Sequence, residues 1–357
     1  MNKDNENEEI NKINPQINLN QFSKKPEDIV KDSKPSVLRM ITMNQYLEEA
    51  NKLSIPDQLF GNFWYEGEVC ILFSDTNLGK SILAVQISNS ITKGETILNF
   101  NTSLSPKKVA YLDIELFGKQ VEVRYSNEFT NHYRFADNFY RLDIDPMTID
   151  EDMTLEDQVL NDISRISKEK EIKIFIIDNI TVLITDFEKS KNAIKLMKNL
   201  NHLKRNDGIS FLVLAHVPKV DKTNPITTNH LAGSKALINL CDSAFAIGSS
   251  IMNEKIRYLK QIKARYVDIN YGTTNVIVCH IQKSKDNMLK FIYDDTSKEI
   301  LFLRTFKDSE KEAMAERIVK LRDEKKMTFE SIAQELGMLK GTVNKIYHKA
   351  KKNEPVS

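Results

Sequence analysis

The sequence predicts an α/β protein: a mostly parallel twisted sheet flanked by helices, extended by antiparallel strands toward the C-terminus and followed by a small all-α module. Three observations carry this. From residue 68 to about 215, short apolar runs alternate with amphipathic helical patterns, which is how βαβ crossovers read. After Ala246 the strand-like runs follow one another without long helices between them. From Glu310 to Lys352 the pattern turns helical and basic, with eleven Lys/Arg against seven Asp/Glu.

Taken in order, residues 1–38 open with seven Asn in the first twenty positions and almost nothing apolar to bury. Such a composition cannot offset its ordering entropy and predicts a disordered polar arm. A short amphipathic helix follows over 43–53 and is stopped by Pro56. Phe60-Gly-Asn-Phe-Trp-Tyr65 leads into the next strand; Trp64 reads as core packing, with stacking on a base as the alternative. Glu68-Val-Cys-Ile-Leu-Phe73 is a buried strand, Ser74-Asp-Thr-Asn-Leu-Gly-Lys-Ser81 a tight loop, and Ile82 onward a helix. Further strands are predicted over 108–115, 139–142, 173–178 and 210–215, and helices over 117–131, 154–170 and 189–206. Thr154 is placed to cap its helix, ahead of apolar residues at Leu155, Val159, Leu160, Ile163 and Ile166. The later strands fall over 256–262, 275–283, 290–294 and 300–305. A boundary at 307–309 leaves one domain over 39–306 and a helical domain over 310–352.

Bulk numbers exclude several classes. Hydrophobic content of 41% and charged content of 28% fit a soluble globular protein. Lys+Arg 51 against Asp+Glu 50 gives a net charge of +1, so any nucleic-acid contact must come from local patches. Cys70, Cys241 and Cys279 lie in or beside apolar runs without metal-ligand spacing and read as core residues in a reducing compartment. No run approaches the ~18 apolar residues of a membrane span, and the start is too polar for a secretion signal. A cytoplasmic location without a membrane partner is expected.

The chemistry begins at the loop. Ser74, Asp75, Thr76, Asn77, Leu78, Gly79, Lys80 and Ser81, between a buried strand and a helix, have the layout of a phosphate-binding P-loop, with Ser74 where the pattern has glycine. Backbone N–H groups at the helix N-terminus favour an anion. Gly79 permits close approach, Lys80 reaches the outer phosphates, and the Ser81 hydroxyl suits Mg²⁺. Asp178 closes an apolar strand as a metal-holding carboxylate would. Glu115 closes an earlier strand, where a carboxylate can polarise a water in line with the terminal phosphate; Asp113 competes for that role. His216, just past a strand, is either a phosphate contact or a surface histidine. The following segment to Ser234 carries Lys219, Lys222, Pro225 and His230 and reads either as a flexible polar loop or as a contact for DNA.

A strand-borne P-loop, a Glu ending the next strand, the Ile-Ile-Asp-Asn strand and the strand ending in His together resemble the RecA-fold ATPases. Over roughly residues 43–305 the chain is most similar to their hexameric helicase-like branch, the RepA and DnaB families, and to ATPases of plasmids and mobile elements. That resemblance implies a RecA-like fold using ATP and Mg²⁺. It places Lys80 and Ser81 on phosphate and metal, Asp178 on Mg²⁺, Glu115 as catalytic carboxylate and His216 as γ-phosphate sensor. It also implies a homo-oligomeric ring, a hexamer as in that branch. Gln261-Ile-Lys263-Ala-Arg265-Tyr266 matches the Lys-x-Arg pair that enters a neighbour's site in DnaB-like proteins, which makes Lys263 and Arg265 candidate trans-acting fingers. Without the resemblance they are two same-face charges at a strand end. RepA-like proteins carry an arginine soon after Gly-Ala-Ser, whereas Ala232-Gly-Ser-Lys-Ala-Leu-Ile-Asn-Leu has only Lys235.

In the C-terminal module Thr328 caps a helix ending at Leu336, Gly337 makes a turn, and 340–349 forms the next helix. Ile332, Ala333, Leu336, Val343 and Ile346 face one another, and Ile318 and Leu321 complete a small core. This resembles the helix-turn-helix of sigma-factor and resolvase type, which implies that Lys340, Thr342, Asn344 and Lys345 face DNA. A helical interaction module is the alternative. The whole reads as an ATP-hydrolysing DNA-binding helicase or ATPase for replication or mobilisation of a plasmid or mobile element. The second reading is an ATP-switched regulator that does not unwind DNA.

Overall fold

The computed structural model describes residues 38–100, 105–183, 190–217, 223–231, 235–251, 253–303, 308–336 and 338–352. The polar arm before Leu38, Lys219, Lys222, the Ala232-Gly-Ser234 segment, the boundary at 307 and the Gly337 turn lie outside the described residues. The chain falls into two units, up to Ile55 and from Pro56 onward. In the first, α1 (Met43–Ala50) starts in a capping box in which Thr42 and Gln45 satisfy each other's backbone N–H groups.

The second unit begins with a two-strand ribbon, β1 (Gln58–Phe60) and β2 (Trp64–Tyr65). There follow β3 (Val69–Ser74), α2 (Lys80–Lys93), β4 (Val109–Asp113), α3 (Gly118–Arg124), β5 (Phe139–Leu142), α4 (Leu155–Lys170) and β6 (Ile174–Asp178). Then come α5 (Ile180–Leu183), α6 (Ser190–Asp207), β7 (Ser210–His216), α7 (Lys235–Leu240) and β8 (Ser243–Ser249). β9 (Ile256–Lys263), β10 (Val276–Lys283), β11 (Leu289–Ser297) and α8 (Ile300–Leu303) complete the sheet region. The chain continues into α9 (Asp308–Asp323), α10 (Phe329–Leu336) and α11 (Lys340–Lys352).

One nine-stranded sheet runs in the order β11-β10-β9-β8-β3-β7-β6-β4-β5. The six strands from β8 to β5 are parallel, and β9, β10 and β11 add antiparallel pairs at the β8 edge. Alternate side chains of the buried strands face opposite layers. Ile71, Phe73, Leu112, Phe175 and Ile177 pack with α4, α6 and α7. Cys70, Leu72, Tyr111, Ile176 and Leu214 pack with Leu83, Ile87 and Ile91 of α2 and with the Phe60, Phe63 and Trp64 cluster. Trp64 is fully buried, so core packing is its role. The three cysteines are free and buried. This is the α/β architecture with a parallel RecA-like core and an antiparallel extension. Helices α9–α11 enclose a separate cluster of Ile318, Leu321, Ile332, Ala333 and Val343, and Leu339 packs beside Tyr258 and Phe302.

Two expectations are corrected. The helix expected over 117–131 is only Gly118–Arg124. Its last carbonyls are taken early: Ser126 donates to Glu122 O at 2.7 Å, and Lys283 of β10 donates to Val123 O at 2.8 Å and Ser126 O at 2.7 Å. The strand expected over 300–305 begins instead with the helical turn α8. A short apolar run fits either state, and here the turn brings Phe302 against the Tyr258 ring, 5.2 Å between centroids.

That turn is pinned by a buried charge pair. Lys260 Nζ lies 2.5 Å from Glu299 Oε2, with both side chains almost wholly buried. Glu299 also accepts from Ile226 N at 2.8 Å and Tyr258 Oη at 3.3 Å, while Lys260 donates to Ile226 O at 2.6 Å. Removing one partner strands a buried charge, so Glu299→Ala costs about 3–5 kcal/mol in urea unfolding. An unchanged midpoint would contradict this.

Candidate nucleotide site

The site lies at the C-terminal ends of β3, β4, β6 and β7, the edge to which parallel sheets bring their functional loops. Parallel register sets Ser74 beside His216 and Asp113 beside Asp178. The loop itself turns on two residues in the left-handed region, Asn77 at φ 61° and Gly79 at φ 99°. A Cβ on Gly79 would lie 2.6 Å from Ile281 Cδ1 and 3.0 Å from the Phe291 ring, so space and conformation both demand glycine. Gly79→Ala is expected to lower stability by about 1–3 kcal/mol, read by urea denaturation, and to weaken nucleotide binding. Asp75 steadies the loop by accepting from Thr76 N at 2.7 Å, and Leu78 is buried beneath it.

Lys80 opens α2 and folds back over the loop. Its Nζ donates to Ser74 O at 3.2 Å, Ser74 Oγ at 3.3 Å and Asp75 O at 3.3 Å. Ser74 thereby acquires a physical account: its hydroxyl is a further acceptor for Lys80 and donates in turn to Asp75 O at 2.8 Å. Burial pulls the Lys80 pKa down, against the opposing pull of Asp178, Glu115 and Asp75.

Nζ of Lys80 also lies 3.2 Å from His216 Nδ1, and His216 Nε2 lies 3.0 Å from Glu115 Oε1. An ammonium only donates, so the tautomer that fits the Lys80 contact has Nδ1 as acceptor and its N–H at Nε2, facing Glu115. Glu115 accepts a second bond from Asn179. The His216 hydrogen bond holds the Glu115 carboxyl below the usual glutamate range, against a smaller opposing effect of burial. Asp113 is differently engaged: Oδ1 accepts from Glu115 N at 3.2 Å and Leu116 N at 3.0 Å, and Oδ2 faces Arg141 Nε at 3.4 Å. It organises the turn that carries Glu115.

Asp178 ends β6 almost fully buried. Burial raises its pKa, opposed by hydrogen bonds from Ser81 and from Tyr111, whose hydroxyl lies 2.5 Å from Oδ2. A serine hydroxyl joined to a carboxylate at the phosphate loop is a hard-oxygen pair suited to Mg²⁺, which keeps most of its shell as water and phosphate. Among the described residues no group of three or more His, Cys, Asp or Glu is placed to hold a metal.

The structure therefore brings Ser74–Ser81, Glu115, Asp178 and His216 together. Lys263 and Arg265 sit elsewhere, at the C-terminal end of α7. Lys263 Nζ donates to Ile238 O at 2.5 Å and Cys241 O at 2.8 Å; Arg265 donates to Asn239 O at 2.9 Å and faces Asp242 at 3.3 Å. On α11, Lys340, Asn344 and Lys345 are exposed and Thr342 is half-buried; Lys340 pairs with Glu330 at 3.1 Å. Sequence reading missed Asn179 and Tyr111. The signal was adjacency to Asp178 for the first and a polar-tipped aromatic on a core strand for the second.

The sequence profile of one family, described as an AAA domain, matches residues 35–222. No protein with a curated description matches the chain. Among solved structures the chain is similar to a KaiC-like protein from the hyperthermophilic archaeon Pyrococcus horikoshii OT3, at 14% identity and a TM-score of 0.44, over 64% of this chain and 90% of that one. No helix among the described residues is long and apolar enough to cross a membrane. With a phosphate loop on a RecA-like sheet and a profile covering more than half its length, the chain belongs to the AAA domain family and is a P-loop ATPase.

Proposed function

We propose that this ATPase is a ring-forming, DNA-binding motor of the RepA/DnaB-like branch, serving replication or mobilisation of a plasmid or mobile element. The observation that carries the reading is the unbroken chain Lys80–His216–Glu115, because His216 also heads the segment leading to Ile226 and His230. A phosphate arriving at Lys80 breaks or remakes that chain, so occupancy of the site is felt where the loop begins. Ser74 to Ser81 cradle the phosphates, Ser81 and Asp178 hold Mg²⁺, and Glu115 orients and deprotonates the attacking water. Bound Mg²⁺ supplies charge neutralisation at the phosphate oxygens.

Arg265 is the better candidate for a trans-acting finger: it is half exposed and held by one carbonyl and one carboxylate. Lys263 caps α7 with the geometry of a C-terminal cation and stabilises its own subunit. The core domain over 39–306 and the helical domain over 310–352 divide the work. In the latter, α10 and α11 act as a helix-turn-helix that sets Lys340, Thr342, Asn344 and Lys345 against DNA.

Forked-DNA strand displacement tests the motor reading: unwinding that needs ATP and disappears in Lys80→Ala supports it. The regulator reading draws on Lys263 and Arg265 both being satisfied within one chain. Sequence-specific duplex footprinting with no unwinding would establish that reading and sink the motor.

A further inference from the structure

We propose that Tyr111 is a positioning residue for the metal-holding carboxylate, its hydroxyl fixing Asp178 in the orientation that serves Ser81 and the Mg²⁺ water shell. This rests on the reading of Ser81 and Asp178 as the Mg²⁺–nucleotide site. Tyr111 pairs with Ile176, and two steps further along the same ladder Asp113 pairs with Asp178. Side chains two residues apart share a face, so Tyr111 and Asp178 meet diagonally across β4 and β6 on the α2 side. The bond is 2.5 Å long and lies inside the protein: Tyr111 is 4% and Asp178 1% exposed.

A carboxylate whose one oxygen receives this phenol and which also binds Ser81 cannot turn without breaking a buried hydrogen bond. Mg²⁺ demands near-ideal octahedral geometry, so a carboxylate that holds its waters must be fixed in direction. The phenol O–H donates and the carboxylate oxygen accepts, so the bond has a fixed direction. The competing explanation is packing alone, since the ring also meets Phe139 edge-on at 6.4 Å. Phenylalanine would satisfy that contact equally; only the hydroxyl acts on Asp178.

Binding of a fluorescent ATP analogue separates the two without measuring turnover. For Tyr111→Phe, affinity in EDTA is expected to stay within about twofold of wild type. The Mg²⁺ concentration needed for tight binding is expected to rise about 10-fold, as loss of an outer-shell partner does elsewhere. On an Asp178→Asn background, the same Tyr111→Phe change adds no further shift. An unchanged Mg²⁺ requirement would overturn the proposal. So would an equal loss in EDTA and in Mg²⁺, or an undiminished effect of Tyr111→Phe beside Asp178→Asn. Wild-type protein that binds the analogue but gains nothing from Mg²⁺ would overturn the metal reading itself, and with it this role.

Discussion

Replacing Lys80 with alanine lowers ATP turnover on the order of a hundred- to a thousand-fold and weakens nucleotide binding, while the protein stays folded. The ammonium lies within 3.3 Å of the Ser74 and Asp75 carbonyls, the Ser74 hydroxyl and His216. None of these offers an anionic oxygen, and burial already pulls the Lys80 pKa down. A triphosphate offers anionic oxygens instead, so the cation exchanges weak partners for strong ones as the ligand arrives. Alanine removes that gain and takes one donor from the almost fully buried Ser74 carbonyl and hydroxyl, a local loss at the loop. Arginine does not restore it, because a planar fork cannot take the place of a compact ammonium there. Phosphate release, followed beside a circular dichroism melt, reads both halves of the prediction.

Glu115→Gln lowers turnover by about 10²–10⁴-fold and leaves nucleotide affinity near that of wild type. Glutamine keeps the shape and can still hydrogen-bond to Asn179 and His216, but it takes no proton from water. The pH dependence has a definite sign. Glu115 is held below the ordinary glutamate range by its hydrogen bond to His216. It therefore stays ionised at pH values where a free glutamate would be neutral, and the acid limb of turnover that belongs to it lies below the ordinary range. Its contribution to stability is fully present above the unfolded pKa and fades as pH falls through the lower folded value. A pH–rate profile of wild type against His216→Ala checks this: without the histidine the acid limb moves upward.

Much of the fold was legible because its signals were local. Apolar runs ending in Asp178 and His216, and the Thr154 cap on α4, each read correctly from a few residues. β8 was not legible. Its Ser-Ala-Phe-Ala-Ile-Gly-Ser composition has little strand preference, and Gly248 is explained only by the Tyr258 ring, which a Cβ would approach to 2.1 Å. The same holds for α3, shortened by Lys283 from 160 residues away. In the site, residue types at strand ends announced Asp178 and His216, while Glu115, expected to close its strand, lies two residues past the end of β4 at Asp113. Nothing local announced that Asn179 and His216 would share Glu115, or that the unusual Ser74 would hold Lys80. The bonds to Glu115 depend on register between strands distant in sequence, and the Ser74–Lys80 bond on how the loop itself folds back.

The rate of ATP hydrolysis with and without single-stranded DNA most directly tests the proposed motor reading, in which His216, in contact with Lys80 and Glu115, couples the nucleotide site to DNA. The account predicts slow hydrolysis that single-stranded DNA accelerates, with the acceleration lost in His216→Ala. Hydrolysis at one rate whether or not DNA is present would contradict it.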